Sequence, residues 1–209
     1  MVKTDLLRTF KPYYTAKPKP GLKLTEAGEF LSIIGTGDAP GSGYTERIRT
    51  LRAAALELRK LSRVAGVDFV VPKLEVLWDF PLARPVNDTP GEASPGIPGE
   101  KRGYCLMLRM PCFVTRALAA QAARQVSTEG LPLAAEVELH ARLEERVVQI
   151  LHRGAPGDKR LCMERLEAFM RDNDLVQDGP YHEIYLTDPV DGRAQETRTV
   201  IRVPVKKQG

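Results

Sequence analysis

Three stretches of this chain are echoed later in it in the same order, and that duplication limits the folds open to it more than any other feature. Pro72-Lys73-Leu74-Glu75-Val76-Leu77-Trp78 and Pro180-Tyr181-His182-Glu183-Ile184-Tyr185-Leu186 share the pattern P-x-x-E-apolar-x-apolar. Leu108-Arg109-Met110-Pro111 matches Ile201-Arg202-Val203-Pro204. Ile34-Gly35-Thr36-Gly37 and Leu151-His152-Arg153-Gly154 both lead from an apolar run through a Gly/Pro loop. A single echo is what chance produces; ordered echoes describe two related units.

Hydrophobic periodicity fills in the units. Phe30–Gly35, Val67–Trp78 and Tyr104–Met110 read as strands of the first. Ile48, Leu51, Ala55 and Leu58 recur at three- and four-residue spacing from about Tyr44 onward, which predicts a helix that stops near Gly66. Phe80–Gly103 is rich in Pro, Gly, Asp and Asn and reads as a long loop. Thr115 is placed to cap a helix over Arg116–Val126. Glu136–Arg146 is ambiguous between helix and strand, and Val147–Leu151 is strand. A helix starts at Asp158 with Leu161, Cys162, Leu166, Phe169 and Met170 on one side, followed by strands at Tyr181–Leu186 and Thr197–Val205. The expected architecture is α+β: tandem β-α-β-β repeats related by a pseudo-twofold, antiparallel sheets with helices on one face and a central ligand groove. One domain divides into an irregular polar arm (1–25), a first repeat (26–112), a connecting helix and loop (113–135) and a second repeat (136–209).

Side chains alternate along a strand, so Tyr181, Glu183 and Tyr185 share one face while Ile184 and Leu186 share the other. The aliphatic face is expected beneath the helix, with Glu183 and its tyrosines turned toward the cleft between units, a common place for a ligand. An unpaired carboxylate among apolar and aromatic neighbours is costly to desolvate. Glu183 is therefore poised to ionise against an arriving cation, or to stay protonated and serve as a general acid or base. A structural ion pair with Arg109 or Arg202 is the competing reading. Glu75 holds the place equivalent to Glu183 in the echo. By strict alternation Glu75 and Trp78 face opposite sides, so both reach one cleft only through a bulge.

At these residues the chain resembles the GyrI-like small-molecule-binding family, in particular its stand-alone branch. The similarity runs through Lys11-Pro12-Tyr13-Tyr14, Lys17-Pro18-Lys19-Pro20, Ile34-Gly35-Thr36-Gly37, Pro72–Trp78, Arg109–Thr115, Gln149–Gly154, His182–Pro189 and Thr199–Val205. The pairing of L-E-x-L-W with H-E-I-Y-L-T-D-P is its specific part. The resemblance implies a tandem β-α-β-β fold with a central groove that binds lipophilic, aromatic, often cationic molecules against a buried glutamate. It also implies an alternative activity, hydrolytic opening of strained cyclopropane rings in DNA-alkylating natural products. The candidate ligand-binding residues are Glu183, Tyr185, Trp78, Glu75, Tyr104, Met107, Phe113 and Tyr14, with Glu183 and Tyr185 catalytic if the chain is an enzyme. Asp79 stands where a second aromatic is expected after the tryptophan, and Tyr104 where the family pattern has Trp.

Composition narrows the classes. Apolar residues make up 43% and charged residues 28% of 209, the proportions of a globular chain rather than a disordered one. No run approaches the roughly 20 apolar residues of a membrane-spanning helix, and Met1–Arg8 has no signal-peptide core. Cys105, Cys112 and Cys162 form no C-x-x-C pair, which fits a reduced cytoplasmic chain without disulfide or zinc framework. The net charge of +4 gathers at the ends, in Lys3, Arg8, Lys11, Lys17, Lys19 and Lys23 and again in Lys206 and Lys207. That is a basic tail rather than a nucleic-acid-reading face, and no helix-turn-helix, RNP or zinc-finger signature accompanies it. The loop GTGDAPGSG lacks both phosphate-binding glycine motifs, His140, His152 and His182 are too scattered for a metal cluster, and no Ser-His-Asp context appears. No metal or cofactor is expected, and monomer and dimer remain open.

Overall fold

The computed structural model describes residues 3–37, 41–79, 103–189 and 197–208. Most of the expected long loop after Trp78 and the tip of GTGDAPGSG lie outside them. The elements run β1 (Lys3–Thr4), α1 (Leu6–Thr9), β2 (Gly21–Leu24), β3 (Gly28–Thr36), α2 (Ser42–Val64), β4 (Asp68–Phe69), β5 (Leu74–Trp78) and β6 (Gly103–Met110). They continue with α3 (Arg116–Thr128), β7 (Glu138–Arg142), β8 (Arg146–Arg153), α4 (Arg160–Asp172), β9 (Leu175–Gln177), β10 (Tyr181–Tyr185) and β11 (Arg198–Lys207). The fold is α+β, built on a large antiparallel sheet.

The sheet order β2-β8-β11-β10-β5-β6-β3-β7 carries the duplication. From the centre outward, β10-β11-β8 repeats β5-β6-β3, as a two-fold between β5 and β10 requires. The outermost strands are exchanged between the halves: β2 precedes β3 but pairs with β8, and β7 precedes β8 but pairs with β3. Within the ambiguous stretch Glu136–Arg146, Glu138–Arg142 is thus strand, because its hydrogen-bonding partner is the distant edge of the first unit.

Helices α2, α3 and α4 cover one face. Ile48, Leu51, Ala55 and Leu58 of α2 are buried as their spacing predicts, and the chain leaves the helix through Gly66 at φ +86°. Thr115 caps α3 by accepting the Leu118 N–H at 3.2 Å. Regular α4 begins at Arg160 after a 3-10 turn at Pro156–Lys159. Leu166, Cys162, Phe169 and Met170 pack on the sheet, but Leu161 is 63% exposed and lies off the stripe. α2 rests on β3 and β6 and α4 on β8, so the central strands β5 and β10 lie between the two helices.

The arm covers the other face. Lys3, Lys11, Lys17 and Lys19 are exposed, yet Leu6, Tyr13 and Tyr14 are buried, and Tyr13 and Tyr14 pack with Phe30, Leu77, Met107, Ile184 and Val200. The first 25 residues therefore hold short regular elements and a second apolar cover, where composition suggested only irregular chain. This cover reverses one expectation. Ile184, the aliphatic side of β10, packs beneath the arm, and Tyr185 and Tyr181 pack on the helix side. An aliphatic face needs an apolar partner, and the arm supplies it as well as a helix does.

Candidate functional site

Strand register arranges the helix-side face into rows. Tyr181 lies opposite Trp78, which lies opposite Tyr104 and then Gly35. Two residues along, Glu183 lies opposite Val76 and Ile201. Two further along comes Tyr185, with Leu74 and Leu108 at the same level of β5 and β6. A carboxylate therefore stands between an aromatic row and a mixed one, on the strand pair between α2 and α4.

Glu183 is 2% exposed and held by three close contacts. The Lys159 ammonium donates to Oε1 at 2.7 Å and to Oε2 at 2.6 Å, and the Tyr181 hydroxyl donates to Oε1 at 2.7 Å. The competing reading, a structural ion pair, is met in kind by Lys159, whereas Arg109 and Arg202 lie on the opposite face against Tyr13. Lys159 comes from the 3-10 turn before α4, and its side chain remains 20% exposed at the rim. Its Nζ also lies 5.6 Å from the centroid of the Tyr185 ring. Tyr44, in the first turn of α2, brings its hydroxyl to 3.4 Å from that of Tyr185. Burial, reinforced by the Glu183 charge, holds the hydroxyls of Tyr181 and Tyr185 well above the ordinary tyrosine range. Burial raises Tyr44 too. All three remain protonated donors at neutral pH.

An aromatic corner adjoins the carboxylate. Tyr44 stacks on Trp78 with centroids 5.6 Å apart and planes 15° apart, and both rings meet Tyr104 edge-on at 5.0 and 6.0 Å. Gly35 makes this corner possible, because a Cβ there would lie 2.4 Å from the Tyr104 ring. At the other end of the face, a cavity of about 410 Å³ opens beside Tyr185, lined also by Leu74, Leu108, Arg52 and Leu56. That volume is in the range of small-molecule sites.

The structure brings Glu183, Tyr185, Trp78 and Tyr104 to this face. Phe113 is on the same side but at its margin, against Phe69 with centroids 6.1 Å apart. The other three candidates are on the arm face. Met107 is buried beneath the arm, and Tyr14 is one of the arm residues that cover it. Glu75, wholly buried, accepts the Tyr13 hydroxyl at 2.7 Å and bonds His182 Nε2 at 2.9 Å. Its equivalence to Glu183 fails by one residue: Ile184 lies opposite Glu75 and Val76 opposite Glu183. Both helices occupy one face, so residues related by the two-fold must share a face, and these two carboxylates do not. No bulge in β5 brings Glu75 across. Tyr181 was legible from its alternation with Glu183, and Tyr44 from its place four residues before Ile48 on the buried stripe of α2. Nothing local marks Lys159. Among the described residues no group of three His, Cys, Asp or Glu side chains is placed to hold a metal.

No family model and no curated protein matches the sequence. Solved structures do. An uncharacterized conserved protein from Listeria innocua shares 27% identity with a TM-score of 0.81, the match covering 98% of this chain and 100% of that one. A hydrolase from Listeria innocua shares 25% identity with a TM-score of 0.80, again over 98% and 100% of the two chains. The C-terminal domain of EcmrR has the same fold at 13% identity and a TM-score of 0.53, over 90% of this chain and 98% of that one.

Proposed function

We propose that this chain is a small-molecule-binding protein of the GyrI-like kind that takes lipophilic aromatic compounds on its helix-side face and hydrolyses a strained ring in them. The observation that carries the reading is Glu183: a buried carboxylate fixed by Tyr181 and Lys159 beside two tyrosine hydroxyls and a Tyr44–Trp78–Tyr104 corner. Aromatic walls add about 0.5–1.5 kcal/mol per ring pair beyond burial. The Listeria innocua neighbour named a hydrolase supports catalysis over mere capture.

The chemistry needs a base, an acid and an electrophile. In a cyclopropane conjugated to a carbonyl, water attacks a ring carbon while Glu183 takes its proton. The ring C–C bond breaks, and its electron pair passes to the carbonyl oxygen, which takes a proton from the Tyr185 hydroxyl. Tyr185 recovers its proton from Glu183, so the net change is addition of water. Capture of a lipophilic cation by Glu183 alone requires Lys159 to leave first, since that ammonium already bonds both carboxylate oxygens.

The test is incubation with a cyclopropane-bearing aromatic alkylator, following ring-opened product. Wild type is expected to turn it over, and Glu183→Gln to lose at least about a hundredfold, the usual contribution of a positioned base. Equal background rates in both proteins would remove the hydrolase reading. Failure of any aromatic dye to bind in the micromolar range, about 8 kcal/mol, would remove the binding site itself.

A further inference from the structure

The Glu183 pair has an asymmetry that bears on which guests the face accepts. Its carboxylate is 2% exposed, whereas the lysine opposite is 20% exposed, so the cation approaches from the rim and the anion belongs to the floor. Lys159 bonds both oxygens, and its Nζ lies 5.6 Å from the Tyr185 ring centroid. A cationic guest drawn to Glu183 seeks those same partners. Lys159 thus occupies, from within the chain, the place of a ligand's positive charge.

We infer that Lys159 is the specificity-determining residue of this face: a tethered cation that closes Glu183 to charged guests and leaves the site selective for uncharged aromatic molecules. The inference rests on the reading of the helix-side face as the ligand site. Its physical basis is competition. A diffusing cation must displace an intramolecular one that has no association entropy to lose, and must leave an ammonium behind without its carboxylate. A neutral guest has neither handicap and is held by stacking alone. The same pair gives Glu183 a fixed orientation for work on neutral substrates.

Two matched fluorescent probes test this: acridine, kept uncharged at alkaline pH, and the permanent cation 10-methylacridinium. Wild type is expected to bind acridine at least as tightly as the cation. In Lys159→Met, affinity for 10-methylacridinium should rise about tenfold or more, near 1.4 kcal/mol, while acridine changes by less than about threefold. Lys159→Arg retains a charge and should show no gain. The double variant Lys159→Met with Glu183→Gln removes both charges, and in it the gain for the cation over acridine should vanish. A gain equal for both probes, or one that persists in the double variant, would overturn the role of Lys159 while leaving the site standing. Absence of binding by either probe to wild type and to every variant would instead overturn the site and this inference with it.

Discussion

Glu75 and Glu183 stand one residue out of register on adjacent strands, and that single step places them on opposite faces of the sheet. Glu183 meets Lys159 and Tyr181 on the helix side. Glu75 meets Tyr13 and His182 beneath the arm. Two buried carboxylates in one sheet are thus met by unrelated segments of chain, Glu75 through Oε2 alone. Their separate surroundings give separate consequences on substitution.

The arm-side carboxylate is expected to serve the fold. Tyr13 holds Glu75 through its hydroxyl, while its ring lies between two guanidinium groups, Arg109 at 4.6 Å and Arg202 at 4.2 Å from the centroid. Tyr13→Phe keeps the ring and removes the donor, leaving a buried charge short of a partner. The expected loss is about 1.5–3 kcal/mol in denaturant unfolding. Hydrogen exchange should quicken in residues 6–14 first, with turnover at the opposite face unchanged. Stability within a few tenths of a kcal/mol of wild type would contradict this account.

Tyr185 is expected to act in the chemical step and not in holding the fold. Tyr185→Phe loses only a hydroxyl that lies 3.4 Å from that of Tyr44. Ring opening should fall by about a hundredfold or more if that hydroxyl is the proton donor, with dye affinity changed less than threefold. A matched loss of affinity and rate would assign it to binding instead.

Gly35 and Tyr104 form a testable pair. A Cβ at Gly35 meets the Tyr104 ring at 2.4 Å, so Gly35→Ala must push the ring out of the aromatic corner. The expected cost is about 1–3 kcal/mol, as for other overpacked cores. In a Tyr104→Ala background the same change should cost almost nothing. Thermal or denaturant melting of the four proteins completes the cycle.

Stability should weaken in mild acid. His140 is buried, bonded to Ser32 Oγ at 2.9 Å, and burial with the charges of Arg142 and Arg116 lowers its pKa from 6.5 to about 4. Between those values the unfolded chain binds a proton that the folded chain refuses, so stability falls as pH drops from 6.5 toward 4. At roughly 1.4 kcal/mol per pKa unit the full loss is about 3 kcal/mol. Burial lowers His182 as well, against the pull of Glu75, and adds to the same acid limb. His140→Gln should flatten that limb by one proton's slope; an unchanged slope would exclude His140 as its source.

What the chain's own order of residues determined is everything that depends on local periodicity. Alternation alone grouped Tyr181, Glu183 and Tyr185 on one side of a strand. Three- and four-residue spacing marked the buried stripe of α2, Thr115 marked the start of α3, and the ordered echoes marked the two halves of the sheet. Leu161 and the even-spaced Glu75 echo show where that evidence ends, since a repeated pattern fixes neither the first turn of a stripe nor the parity of a register. Tertiary structure alone decided the partners. A buried carboxylate must be met by whichever donors the fold brings near, and for Glu183 these include Lys159, carried across the rim on a 3-10 turn. It also decided which face the helices cover, because a basic arm with two buried tyrosines supplies a second apolar lid that its composition conceals. Burial and desolvation are properties of the assembled chain, and they make a glutamate on a strand a candidate site.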